Sequence, residues 1–468
     1  MSAAGGGGAA DDVEPRSRGD RRELPPAGIW SPARRVTTLG ATGLVFLTAF
    51  EALAVTTVMP LVSRDLGGEA LYALAFSAPL AVSIVGMVAA GGSADRNGPR
   101  RPLTAAIALF ALGLLLAGIA PGMIVLLLGR ALQGLGSGAI TVALYVLVAR
   151  AYPESLHPRV FGAFAAAWVL PSLVGPVLAG LVAEHSSWRW VFLGVLALVP
   201  FAGAAVLPSA RAASAPNPDA ARMRAAPVLL AAASAAAVLG VGALAGAPSP
   251  ATVPAVLGLV VVLLIALRPL LPPGTLVARR GTPSVLLARA AVAAAFFGAE
   301  VYLPYLLIER DGLSPSIAGL TLTGAAITWA AASNLQARLG ERASHERVVL
   351  IGVSAVATTT GLVLAAALAG WPPAVLFAAW LLGGAGMGLA FPRFSTLVLA
   401  RAPESERGFA SSAMTTVEAV AGALLLAVSG IVVAGLATAG GVLPFSAAFA
   451  IAALAGVAAV LFSLRMRR

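Results

Sequence analysis

The chain of 468 residues contains no cysteine. Disulfides, thiolate metal sites and cysteine nucleophiles are thereby excluded. It contains no lysine either, and all 31 basic residues are arginine. A phosphate-binding loop of the G-x-x-x-x-G-K type and a lysine Schiff base are both impossible, which argues against a self-contained ATP-driven pump. There are only three histidines, His157, His185 and His345, all expected in polar connections, and no H-E-x-x-H sequence. Charged residues make up 11% of the chain and hydrophobic residues 59%, with mean hydropathy +0.92. Such a chain is neither a soluble globular enzyme nor a disordered protein. The apolar residues suffice for roughly thirteen spans of ~20 residues. No nucleophile–base pair or metal cluster is visible, so no enzyme is read and no cofactor is expected.

Apolar runs alternate with short polar breaks from residue 38 onward. They predict fourteen spans, at about 38–61, 72–92, 103–120, 123–149, 160–183, 190–207, 227–246, 253–270, 286–307, 315–336, 348–369, 373–398, 408–435 and 441–464. With both ends inside, only Arg64, Arg189 and Arg310 fall in outside loops, and Arg130, Arg268, Arg289 and Arg393 fall within or at the edges of spans. The net charge of +11 is then the mark of cytoplasmic loops rather than of nucleic-acid binding. Removing only one of spans seven and eight would place five arginines of the second half outside, so both span or neither does, and their length of about 18–20 residues favours both. The Lys-free, Ala- and Arg-rich usage points to a GC-rich bacterial genome. The expected location is the cytoplasmic membrane with both termini inside.

The halves echo one another. Residues 149–155 read A-R-A-Y-P-E-S and 400–405 read A-R-A-P-E-S, while Q-G-L-G-S-G at 133–138 answers G-G-A-G-M-G at 383–388. P-L-V-S-R-D at 60–65 answers P-Y-L-L-I-E-R-D at 304–311. A duplicated six-span unit with two spans inserted between the copies accounts for the common offset. The organisation predicted is a disordered cytoplasmic tail (1–35), a six-helix bundle (36–207), a cytoplasmic linker (208–226) and two additional helices (227–270). A cytoplasmic loop (271–285), a second six-helix bundle (286–464) and a short cytoplasmic tail (465–468) follow.

After span two, residues 91–101 read G-G-S-A-D-R-N-G-P-R-R. Gly91 allows close helix approach and Gly98 a tight turn. Asp95 can pair with arginines or face a helix N-terminus. Arg96, Arg100 and Arg101 hold the loop at the cytoplasmic face. This G-x-x-x-D-R-x-G-x-R-R pattern, between spans two and three, resembles the signature of the major facilitator superfamily. The second copy, S-N-L-Q-A-R-L-G-E-R at 333–342, keeps Arg338, Gly340 and Arg342 but has Ala337 in place of the acid. Arg130-Ala-Leu-Gln133-Gly-Leu-Gly in span four resembles the family's R-x-x-Q-G-x-G motif, and Trp380 stands at the matching position of the second half. Pro171 to Gly180 resembles the antiporter motif of span five, with Gly175, Pro176 and Gly180 matching and Pro171 and Ala179 departing from it. Span one, F-E-A-L-A-V-T-T-V-M-P, resembles that of the fourteen-span drug:proton antiporters, with Glu51 in place of the usual Asp and the Asn missing.

The resemblance implies an all-α membrane protein of the major facilitator fold: two six-helix bundles in pseudo-twofold repeat with two helices inserted between them. It implies that the 91–101 loop, through Asp95, helps hold one face closed, and that the span-five motif shares in gating. A buried arginine in span four costs about 2.5–3.5 kcal/mol on insertion scales and needs an acidic partner. Only Glu51, Glu300 and Glu418 lie well inside spans. An acid in hydrocarbon either takes up a proton or finds a cation. Glu51, tuned by Arg130, is expected to carry the proton, with Glu418 as a further coupling acid; a structural Glu51–Arg130 ion pair is the alternative. Glu300, with Tyr302 and Tyr305 close by, suits a lipophilic cation, and Gln133 and Trp380 complete the expected substrate-binding set. Arg393 is expected to reach toward the cytoplasmic interface.

The function expected is proton-coupled efflux of small amphiphilic or cationic compounds by a monomer, powered by the proton gradient. A proton-coupled nutrient importer and a lipid exporter with a partner protein remain open alternatives, since superfamily membership does not choose a substrate.

Overall fold

The computed structural model describes residues 28–214, 225–246, 249, 251–339, 342–403 and 407–466; within these, the side chains of Asp95, Pro158 and Arg407 lie outside the described set. Fourteen helices among the described residues are long and apolar enough to cross a membrane. They are α1 (Arg35–Asp65), α2 (Leu74–Asn97), α3 (Arg100–Gly118), α4 (Met123–Ala151), α5 (His157–His185), α6 (Arg189–Ala212) and α7 (Ala225–Ala243). After them come α8 (Thr252–Leu267), α9 (Thr282–Glu309), α10 (Pro315–Leu339), α11 (His345–Ala369), α12 (Pro373–Arg401), α13 (Arg407–Gly435) and α14 (Leu443–Leu464). No strand occurs among the described residues. The chain is therefore a multi-pass membrane protein. Proline lies inside several of these helices, including Pro60, Pro79, Pro176 and Pro304. Neighbouring helices in a bundle satisfy the backbone groups that such prolines free.

The even helix count returns the chain to the face from which it starts. That face, where α1 begins and α14 ends, is called here the terminal face, and the other the loop face. The terminal face binds its own ends: Arg401 donates to the Met466 carbonyl at 3.0 Å, and the Gly281 N–H donates to the Arg465 carbonyl at 3.3 Å.

The duplication is visible in packing. α1 packs on α5 and α6, and α9 on α13 and α14. α4 packs on α2 and α3, and α12 on α10 and α11. The glycines of α4 and α12 let these backbones touch. A β-carbon at Gly134 would overlap the Pro79 backbone, and one at Gly384 would overlap Ala325. Gly138 abuts Ser83 just as Gly388 abuts Trp329. Small residues of this kind are what allow close helix association in a bilayer, where burial from water supplies no drive.

The inserted pair is not a detached hairpin. α7 packs against both α2 and α13, so it covers a seam between the two bundles, while α8 packs on α7. The second seam is closed chiefly by α5 against α10, with α1 also touching α9 and α10. α8 is the least buried span, with Leu257 and Ile265 more than 60% exposed, as a helix in contact with lipid should be.

Several boundaries differ from expectation. Residues 1–27 lie outside the described residues, but the expected tail is structured from residue 28. Ile29 is buried and its carbonyl accepts from Thr38 at 2.8 Å, because an apolar side chain here finds a site against α1. α6 runs on to Ala212, five residues into the expected linker, and α9 starts at Thr282, inside the expected loop. Residues 215–224 and 467–468 lie outside the described residues.

Candidate functional site

Glu51 stands 16 residues into the 31-residue α1, about 24 Å from its start at 1.5 Å per residue, or halfway along. It is 5% exposed and pairs with Arg130 of α4, itself 3% exposed. Arg130 lies in the first third of α4, nearer the loop face than a mid-span position. Its Nε donates to the Ala75 carbonyl of α2 at 3.0 Å, and its Nη1 donates to Gln133 Oε1 at 2.6 Å as well as to Glu51. One guanidinium thus ties three helices of the N-terminal bundle. Gln133 is buried against α3, and its Nε2 has no hydrogen-bond partner among the described residues.

The chemistry of this cluster follows from its acceptors. With Glu51 ionised, the buried charges cancel. If Glu51 takes up a proton, Gln133 Oε1 and the Ala75 carbonyl remain to hold the guanidinium. On protonation the guanidinium would keep these two neutral acceptors while losing its counter-charge.

Glu418 in α13 does not join this cluster. It accepts from Arg289 Nε of α9 at 2.8 Å. Arg289 also donates to the Phe391 carbonyl and to Ser395 Oγ, each at 3.2 Å, and its guanidinium lies 3.9 Å from the centre of the Phe391 ring. The sequence reading counts Arg289 among the arginines within or at the edges of spans and gives it no acidic partner. Its position seven residues into α9, with an acid in the helix equivalent to span five, was the signal available.

The expected substrate residues are dispersed. Glu300 of α9 is part-buried and makes no ion pair or hydrogen bond among the described residues. Tyr302 is buried, and its ring centroid lies 5.7 Å from that of Tyr72; Tyr305 approaches Tyr72 at 4.7 Å. Trp380 is wholly buried, stacked on Phe296 at 4.7 Å, and presents no surface in this state. Arg393 reaches the terminal face but ends inside protein, 4% exposed, donating to the Gln336 carbonyl and bonded to His345 Nδ1, each at 2.8 Å. The α10 and α11 ends cover it, so it does not end in water.

Four hydrogen-bonded links join the bundles among the described residues, and none lies in the terminal half. Arg64 pairs with Glu309; Tyr72 Oη donates to the Val301 carbonyl at 2.7 Å; the Ser316 N–H donates to Glu184 Oε1 at 2.7 Å; and Thr323 donates to the Leu173 carbonyl at 3.0 Å. The span-five motif forms part of this seam. A β-carbon at Gly180 would lie 2.6 Å from the Ser316 nitrogen, and Gly319 abuts Pro176. Gly175 faces the Phe50 ring. The loop face is therefore sealed in this state.

The 91–101 motif sits on the terminal face. Gly98 has φ +76° and terminates α2 against Ser214. Ser214 Oγ accepts from the Arg100 N–H at 3.0 Å, and Arg150 donates to the Ala94 carbonyl at 3.2 Å. Gly91 approaches Val142 of α4, and Arg96, Arg100 and Arg101 are exposed. The Asp95 side chain lies outside the described residues.

Comparison with known proteins follows the same lines. A model of the family described as Major Facilitator Superfamily matches residues 41–426 and 285–468. A probable multidrug-efflux transporter of Mycobacterium tuberculosis is 28% identical over 425 residues, covering 85% of this chain and 87% of that protein. An MFS-type transporter of the acurin A biosynthesis cluster of Aspergillus aculeatus is 35% identical over 147 residues, a stretch covering 31% of this chain and 26% of that protein. Among solved structures, a POT family transporter in complex with 5-aminolevulinic acid superposes with TM-score 0.69 at 14% identity, covering 92% of this chain and 95% of that one. A D-xylose–proton symporter superposes with TM-score 0.66 at 15% identity, covering 93% and 98%. These structures share the fold.

Proposed function

The chain belongs to the major facilitator superfamily, and from that premise we propose that this transporter is a proton-coupled exporter of small amphiphilic cations. The observation that carries the reading is the buried Glu51–Arg130 pair with its reserve acceptors, halfway along α1. A carrier driven by protons needs an acid that can load and unload as access alternates. Glu51 fills that role, Arg130 and Gln133 tune it, and Glu418 with Arg289 forms a second charge pair in the opposite bundle. The multidrug-efflux relative supports export of drug-like compounds.

Glu300 is the candidate anchor for a cationic substrate, since of the three mid-span acids Glu51, Glu300 and Glu418 it is the one with no ion pair among the described residues. The terminal face is assigned to the cytoplasm, on the arginine distribution, and the membrane to the cytoplasmic membrane. The state described, sealed on the loop face, is then the one that receives substrate from inside. The Gly175–Gly180 segment and the 91–101 loop act at opposite faces as gates. The proton gradient is the sole energy source, no cofactor takes part, and the monomer is the working unit.

Purified protein in liposomes holding a pH-sensitive dye tests this. Under an imposed proton gradient, adding lipophilic cations should move protons in wild type and not in Glu51→Gln. Proton movement that persists undiminished in Glu51→Gln, or that no cation elicits in wild type, overturns the reading.

A further inference from the structure

A cleft of about 770 Å³ opens on the loop face. One wall is the connection between α1 and α2, with Glu69 at its rim. The other walls are the end of α9, with Tyr305, Glu309 and Arg310, the end of α13 and its connection to α14, with Val433 and Ala437, and the start of α14, with Phe445. Tyr305 and Phe445 meet edge to face at 5.0 Å, and Tyr305 leans on Tyr72 behind it. The volume falls within the range that holds drug-sized ligands.

The charges leave a remainder. Glu309 is matched by Arg64, and Arg310 by Asp311 at 2.8 Å. Glu69 makes no ion pair among the described residues. The cleft thus combines aromatic walls with one uncompensated carboxylate, which is the recognition chemistry of an organic monocation: ring faces for the charge and apolar body, and a carboxylate for the net charge.

We propose that this cleft is a second binding site, separate from the Glu51 pathway, for a lipophilic organic monocation, and that its occupation holds the loop face closed. The second half follows from construction. Glu69 belongs to the N-terminal half, while Tyr305, Glu309 and Phe445 belong to the C-terminal bundle. The Arg64–Glu309 and Tyr72–Val301 links that hold the halves together border the same cleft. Parting the halves on this face pulls the walls apart, so a ligand here binds the closed state alone and shifts the population toward it. The proposal rests on the exporter reading only in that the exported compound would itself be such a cation. Product accumulating outside would then slow its own export.

The chain has no cysteine, so Ala437→Cys, on the exposed lining of the cleft, supplies a single thiol. Its labelling by a membrane-impermeant maleimide is followed in proteoliposomes against tetraphenylphosphonium. The cation should protect the thiol. Adding Glu69→Gln should raise the protecting concentration about three- to fivefold, the size expected for one part-exposed charge pair. Glu69→Asp should largely restore it, and Phe445→Ala should weaken it. Glu51→Gln should leave protection unchanged. Absence of protection at cation concentrations that saturate wild-type transport overturns the proposal. So does protection indifferent to Glu69→Gln and abolished by Glu51→Gln, because the cation would then act from the central pathway. Persistent protection in a protein that moves no protons would sink the exporter reading and leave the site standing.

Discussion

Arg130 and Glu51 close an ion pair inside the N-terminal bundle, their side chains 4% and 6% exposed. The two faults that can be made in this pair are unequal. Arginine cannot lose its proton in a protein, whereas a carboxyl group can gain one. Glu51→Ala should therefore be the worse lesion, costing about 3–5 kcal/mol by leaving an uncompensated buried cation. Arg130→Leu should cost less. Thermal unfolding in detergent gives the order, and a milder melt for Glu51→Ala than for Arg130→Leu would contradict it.

Arg289 and Glu418 form the corresponding pair of the C-terminal bundle, at 2.8 Å. If the pair serves coupling as well as packing, two readouts should part company. Arg289→Leu with Glu418→Leu together should recover most of the stability lost by Arg289→Leu alone, since replacing both charges by apolar groups is close to neutral. Transport should not recover. Restoration of both in the double variant would reduce the pair to a structural role.

The loop-face seal contains links of different worth. Arg64 and Glu309 are 52% and 34% exposed, so their ion pair is screened and worth about 0–1 kcal/mol. The Tyr72 hydroxyl is buried, and Tyr72→Phe leaves the Val301 carbonyl without that donor, at about 1–3 kcal/mol. Tyr72→Phe should weaken tetraphenylphosphonium protection of the Ala437→Cys thiol more than Arg64→Ala does. The reverse order would assign the seal to charge.

Gly180 touches the Ser316 backbone across the α5–α10 seam. A leucine there has no room while the loop face is closed. Gly180→Leu should populate the loop-face-open state and slow cycling without unfolding the bundles. A helical signal like wild type with unchanged transport would show that the seam yields locally.

Gly98, at φ +76°, lies in the region that side-chain-bearing residues rarely adopt. Gly98→Val should strain the α2–α3 turn and crowd Ser214. The expected result is a lower melting temperature, by the few degrees that about 1 kcal/mol produces in a large chain. A melt equal to wild type would mean that the turn relaxes.

Much was legible in the sequence because the bilayer constrains it so tightly. Backbone groups must be satisfied within each span, so fourteen apolar runs correspond to fourteen helices among the described residues, and the arginines cluster toward one side in the sequence. The repeat was legible because each half must solve the same packing problem: the glycines at 134 and 138 and those at 384 and 388 occupy the same contacts in the two bundles. That a buried Arg130 needs an acid also followed from the cost of an unpaired charge in hydrocarbon.

Partner choice was not legible. Helical period places a residue on a face, but which face meets which helix depends on rotation and tilt, and these are set by packing among distant segments. Only the tertiary structure therefore joined Glu418 to Arg289, buried Trp380 against Phe296 and turned Tyr305 toward the loop-face cleft. It also decided what the inserted helices do. The sequence alone required that α7 and α8 cross together or not at all. Contact with both α2 and α13, which lie more than 300 residues apart in the chain, lays α7 over one seam between the bundles, and no local pattern encodes that.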